Sequence, residues 1–166
     1  MSVTPKIASG LNHVAYPTFD TPATVRFYTE VMGFKLAAAV QSDADPNDAS
    51  SRPFLHTFFA MGSGEIIAFF DVKGLEKPKP DSLPWFVRHL ALAVDSREQL
   101  LEWKQRLESH GLHVAGPVDH DGTWLSIYFP DPNGVTLELT WQARALTEKD
   151  AREAAEMVAR WTVGQG

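Results

Sequence analysis

Residues His89 to Gly111 read HLALAVDSREQLLEWKQRLESHG, and the change of hydrophobic period within them decides the fold. From His89 to Val94 apolar side chains alternate, which suits a strand because successive residues of an extended chain face opposite ways. Ser96-x-x-Gln99 is then a capping-box signature, and Leu100, Trp103 and Leu107 recur at helical spacing until Gly111 stops the helix. The same phrase occurs earlier in the chain. Leu11 to Tyr16 alternates, and Thr21-Pro22 offers an N-cap and a proline at the first helical position. Ala23, Phe27 and Val31 follow at helical spacing, and Gly33 ends the helix. Each half then carries two β-rich segments joined by a turn. They are Phe54 to Met61 and Glu65 to Val72 around Gly-Ser-Gly, and Thr123 to Phe129 and Val135 to Trp141 around Asp-Pro-Asn-Gly. The shared order is βαβββ. It predicts an α+β fold in which two tandem modules form a curved, partly open sheet with the helices outside.

At 166 residues and 44% hydrophobic, the chain suits one domain with a sizeable core. Module one spans 10–72, a Lys-, Pro- and Asp-rich linker 73–84, and module two 85–142. The polar insert Gln41 to Arg52 predicts a mobile loop able to act as a lid. Thr147 and Asp150 can cap a C-terminal helix over 147–161, with Ala151, Ala154, Ala155, Val158 and Trp161 on one stripe. That helix is expected to dock on the domain or on a second subunit, which leaves a homodimer open. A formal charge of −6 argues against nucleic acid or anionic lipid as a partner, because both need a concentrated cationic face. No apolar run is long enough to cross a bilayer and the N-terminus lacks the apolar core of a signal peptide, so the expectation is a soluble, cytoplasmic protein. Zero cysteines exclude disulfides, thiolate metal sites and cysteine nucleophiles together.

Strand parity then sorts the remaining metal donors. His89, Ala91 and Ala93 share one face of their strand, opposite Leu90, Leu92 and Val94. His13 shares its face with Leu11 and Ala15, and Glu138 lies with Thr136 and Thr140 opposite Val135, Leu137 and Leu139. Small and polar groups on one face of a curved sheet imply a cavity. If the two copies pair about a pseudo-twofold axis, His13 and His89 occupy equivalent positions with Glu138 on a neighbouring strand. Two imidazoles and a carboxylate make the facial triad that suits Fe(II) and leaves three coordination positions open. A single strand histidine is more often a hydrogen-bonded core or rim residue than a ligand. Glu138 changes the balance, because a carboxylate between Leu137 and Leu139 is costly to bury without a cation.

The phrases Leu11-Asn12-His13-Val14 and Phe27-Tyr28 followed by Gly33-Phe34 resemble the opening of vicinal-oxygen-chelate modules, the superfamily of glyoxalase I, bleomycin-resistance proteins and extradiol dioxygenases. A sharper match is Val118-x-His120, six residues, then Ile127-Tyr128-x-x-Asp131-Pro132-x-Gly134-x-x-x-Glu138, which resembles the extradiol ring-cleavage dioxygenase signature over its full length. The resemblance implies Fe(II)-dependent cleavage of a small aromatic diol by O2. Both hydroxyl oxygens would chelate the metal, O2 would take a remaining position, and ring opening would follow attack of reduced oxygen beside the diol. It also implies that Tyr128 and His120 hydrogen-bond the catecholate and intermediates. The blander reading of Tyr128 is a core aromatic with its hydroxyl at the rim, but it shares parity with Ser126 and Trp124, opposite Leu125 and Ile127, which favours the cavity. Glyoxalase-type sites usually draw a carboxylate from both modules, whereas here the counterpart of Glu138 is Ala68, counted from Gly64 and Gly134.

One position departs from the extradiol pattern. Where those enzymes carry a further acid-base histidine this chain has Glu65, whose parity is that of Ile67 and Phe69, away from Ala68. His56, on the side of Phe58 and Ala60, is the candidate replacement and equally a candidate structural residue; His110 and His113 read as surface groups. Trp124, Phe58, Phe70 and Ile66 would give the cavity an aromatic, apolar lining without naming a substrate. Ligand types do not separate Fe(II) from Mn(II) or another divalent metal. The rival readings are a metal-dependent isomerase, epimerase or lyase of the same superfamily, and a metal-free drug-binding resistance protein.

Overall fold

The computed structural model describes residues 10–163 except Pro46, Ala49, Pro80 and Asp81, with Thr162 and Val163 given by backbone alone. The first module runs β1 (His13–Pro17), α1 (Thr21–Arg26) continued by a π-helical turn (Phe27–Val31), β2 (Lys35–Ser42), β3 (Phe54–Ala60) and β4 (Ile66–Val72). The second runs β5 (Leu90–Ala93), α2 (Arg97–Ser109), β6 (Ala115–His120), β7 (Trp124–Pro130) and β8 (Thr136–Gln142), and α3 (Glu148–Val163) comes last. The fold is α+β and the βαβββ order is present twice. Each module builds its own four-stranded mixed sheet, in the orders β1-β4-β3-β2 and β5-β8-β7-β6. In each, the first strand lies parallel to the last, β1 on β4 and β5 on β8.

Packing divides the chain into two units that do not follow sequence order. One gathers the residues up to His89 with Pro130–Thr136, and the other gathers Leu90–Phe129 with the residues from Leu137 onward. In the first unit the π-helical turn sinks Tyr28 completely, with its ring 4.9 Å from Phe69 and 5.3 Å from Phe59. Phe59 and Phe69 are likewise sealed from solvent, and burial of side chains this large stabilises by roughly 1.5–3 kcal/mol each. The Tyr28 hydroxyl donates to Asp131 Oδ2 at 3.1 Å, across the turn that this unit takes from late in the chain. In the second unit Leu100 and Leu107 of α2 and Ile127 and Leu137 of the sheet are fully buried. The helix therefore covers the leucine face of the strands and leaves the Glu138 face for other use.

Several local expectations need correction. The N-cap of α1 is Asp20, whose carboxylate accepts from Ala23 N at 2.9 Å, because Thr21 is already helical and donates its hydroxyl to Asp71 instead. Pro22 therefore falls one position later than expected. The polar insert begins later too, since Gln41 and Ser42 pair with Leu55 and Phe54 as the end of β2. Beyond Ser42 the loop is held by Asx turns, Asp45 accepting from Asn47 N and Asp48 from Ser50 N. The Ser96 cap accepts from Gln99 N as expected, and Gln99 Oε1 accepts from Asp95 N. Thr147 and Asp150 cap α3 reciprocally. On that helix Val158 and Trp161 are 64% and 72% exposed. No helix among the described residues is long and apolar enough to cross a membrane.

Candidate active site

The sheet of the second unit carries the most organised polar cluster. β8 places Glu138 opposite Ala91 of β5, and only 6% of the glutamate is exposed. Tyr128 on β7 reaches it by hydrogen bond, and the same hydroxyl lies 2.9 Å from His120 Nε2 on β6. Ser126, fully buried two residues before Tyr128, donates to Thr140 Oγ1 at 2.8 Å. Burial first, and then the charge of Glu138, push the Tyr128 hydroxyl above its ordinary pKa, so it stays protonated and acts as a donor at neutral pH. With the Tyr128 proton given to Glu138, its oxygen accepts from His120 Nε2–H. In that arrangement the lone pair of the imidazole lies on Nδ1.

In the first unit, strand register defines the corresponding face. His13 stands opposite Ile66, and Ala15 opposite Ala68, which in turn faces Phe58 of β3. Phe58 lies edge-on to His13 at 6.3 Å. His56 faces Phe70 one row further on, stacked 3.5 Å from that ring at 7°, and its Nδ1 bonds the Phe69 carbonyl at 3.0 Å. It is buried, and two rows of strand separate it from His13, roughly 13 Å along the chain direction. Glu65 precedes β4 and accepts from the Ser63 hydroxyl, which holds its carboxyl below the usual range. It is an ionised group beside a turn, not a proton donor.

The two registers also align the modules residue by residue. Ala15 pairs with Ala68 two residues after His13, and Ala91 pairs with Glu138 two residues after His89. Ala68 therefore occupies in its sheet the position Glu138 holds in the other. His89 lies just before β5 instead of within it, and its Nδ1–H donates to the Phe86 carbonyl at 2.9 Å. His13 Nδ1 bonds Asn12 Oδ1 at 2.7 Å. Both contacts place the proton on Nδ1 and the lone pair on Nε2, the tautomer that ligates metals when a carbonyl fixes the far side of the ring. His13 and His89 belong to the first unit and the buried Glu138 carboxylate to the second, and each is a donor type that divalent cations accept. Among the described residues, no three or more His, Asp or Glu side chains are gathered closely enough to hold one.

Sequence reading missed the network behind Asp131. That carboxylate is 5% exposed and accepts from Tyr28 Oη, Asn133 Nδ2, Asn133 N and Val135 N. Asn133 Nδ2 also reaches Thr24 Oγ1 at 3.1 Å. Burial outweighs these bonds and raises the Asp131 pKa. The Asp-Pro-Asn-Gly turn was the available signal, but its residues read as a turn and as part of the extradiol signature, neither of which names the partners of Asp131.

Two βαβββ modules, each building a four-stranded sheet whose first strand lies parallel to its last, define the class of fold. The chain belongs to the glyoxalase/bleomycin resistance protein/dioxygenase superfamily, whose model matches residues 10–139. It is 27% identical over 138 residues to biphenyl-2,3-diol 1,2-dioxygenase of Paraburkholderia xenovorans, covering 82% of this chain and 42% of that enzyme. The chain thus spans about two fifths of the dioxygenase's length. It is also 27% identical over 132 residues to metallothiol transferase FosB of Bacillus licheniformis, covering 78% of this chain and 73% of that one. Among solved structures, a glyoxylase/bleomycin resistance protein/dioxygenase domain from Frankia sp. superposes with a TM-score of 0.66 at 21% identity, covering 82% of this chain and 99% of that one.

Proposed function

We propose that the protein is a divalent-metal enzyme that cleaves a catecholic ring in the extradiol manner, with His13, His89 and Glu138 as ligands. The observation that carries this reading is the His120–Tyr128–Glu138 chain on one sheet face, with Ala68 where a second carboxylate would stand. When bound, Fe(II) supplies a Lewis-acid centre with open positions for vicinal oxygens and electrons for O2, and Mn(II) could serve the same ligands. Both atoms of O2 enter the product as a ring C–C bond beside the diol breaks, so no external reductant is consumed. His120 Nδ1 takes a hydroxyl proton from the diol, and the Tyr128 hydroxyl orients the Glu138 carboxylate and the bound oxygens. Glu65 is ionised and His56 lies far along the sheet from His13. Proton delivery therefore falls to the His120–Tyr128 pair, and turnover of simple catechols is slow.

Anaerobic reconstitution with Fe(II), followed by a catechol panel in air, tests the reading through oxygen uptake and a coloured ring-fission product. Stoichiometric iron with no oxygen uptake across a broad panel rejects it. A second reading has its own support: the chain covers most of the metallothiol transferase but less than half of the dioxygenase. A metal-dependent transferase, isomerase or lyase would use the same ligands without O2.

A further inference from the structure

A crevice of about 1060 Å³ opens within the first unit, lined by the end of β1, the segment before β5 and the turn before β8. Its volume is at or above the upper end for small-molecule sites. Three features set its chemistry. Lys77, Lys79 and Arg88 line it together with His89, and none of the described residues that line it is acidic, although the chain as a whole carries −6. Asp131, in the same turn as lining residue Asn133, is turned inward and consumed by four donors. The walls are also aromatic, from Tyr16, Phe19 and Trp85. Leu83, Trp85 and Val87 are 49%, 54% and 51% exposed, a run of large apolar side chains open to solvent on a segment rich in proline. Contiguous exposed apolar surface of this kind marks a binding site.

We propose that this crevice recognises a planar aromatic molecule bearing a carboxylate. The cations supply charge-assisted contacts to the acid, and the ring lies against the aromatic walls. Inorganic phosphate alone would leave the apolar walls uncovered, and three cations are too few for a nucleic-acid track. Burial and the Asp131 charge keep the Tyr16 hydroxyl protonated, so it adds a hydrogen-bond donor at the rim. His89 lies at the edge, so a ligand seated here approaches a residue assigned to the metal. The proposal stands on the crevice alone and does not require ring cleavage.

The test is calorimetric titration of chelator-treated protein with 2-naphthoate and with the neutral 2-naphthylmethanol. The carboxylate should bind at least tenfold more tightly, and its affinity should fall with added salt. Replacing both exposed lysines, Lys77→Gln with Lys79→Gln, should weaken naphthoate roughly tenfold. A charge-matched control on α3, Lys149→Gln with Arg160→Gln, should change nothing. Trp85→Ala should weaken the acid and the alcohol alike. Equal affinity for the two compounds, no binding of either, or equal losses in the lysine and control variants would each overturn the proposal. Because no metal or turnover enters, failure of the dioxygenase reading leaves this result unaffected.

Discussion

Replacing Tyr28 with phenylalanine isolates one buried hydrogen bond. The ring keeps its contacts with Phe59 and Phe69, and only the hydroxyl that donates to Asp131 Oδ2 is lost. A bond to a charged acceptor contributes about 1.5–3 kcal/mol. At 3.1 Å this one is long for a hydroxyl donor, and Asn133 Nδ2 and the Asn133 and Val135 amides still reach the carboxylate, so the lower end applies, about 1.5 kcal/mol. In a chain of this size that corresponds to a melting point lower by about 3–6 °C. The loss should depend on pH. The folded Asp131 pKa is raised, so this group contributes stability below the unfolded carboxyl value and loses it as pH rises through the folded one. Removing a donor that favours the ionised form raises that pKa further. The Tyr28→Phe penalty should therefore be full where the carboxyl is ionised and shrink as it protonates. Urea denaturation followed by far-ultraviolet circular dichroism at several pH values measures this. An unchanged midpoint at pH 7, or a penalty that grows on acidification, would refute the reasoning.

His89→Ala and Glu138→Ala should each abolish stoichiometric metal in elemental analysis, and full metal in both would remove the proposed ligand set. Tyr128→Phe should leave metal content nearly unchanged while lowering turnover about tenfold or more, and wild-type turnover would reduce Tyr128 to packing. In oxygen-uptake assays Glu65→Ala should be close to neutral and His56→Ala should mainly raise KM; a large kcat loss in the Glu65 variant alone would show that this carboxyl delivers the proton. Gly116 has φ 101°, and a Cβ there would lie 2.7 Å from the Ser126 carbonyl, so Gly116→Ala should cost about 2–4 kcal/mol, read as a shifted denaturation midpoint.

Much of the fold was legible because period and punctuation agree in α2 and β5: a two-residue alternation, a Ser96 cap, a helical stripe and Gly111. The Ala68 for Glu138 exchange was legible for a related reason, since counting from a shared glycine preserves strand register. The N-cap of α1 was misplaced because Asp20 and Thr21 are adjacent and both good caps, and a tertiary partner, Asp71, decided between them. Asp131 and the crevice were not legible. Each depends on which distant residues the turn before β8 meets, and local periodicity carries no such information. The α3 stripe reads as a surface to be buried, yet its amphipathicity does not specify against what.

The placement of Pro130–Thr136 with the first 89 residues has a consequence for synthesis. Domains commonly fold from the N-terminus as they leave the ribosome. Here the first unit cannot complete its interior at residue 89, because the partner of the Tyr28 hydroxyl and one wall of the crevice are encoded more than forty residues later. The early sheet must wait, incompletely packed, until the turn before β8 has been made. A messenger cut between the modules would therefore yield an unfinished first half, and the two copies, though alike in order, are not separable pieces.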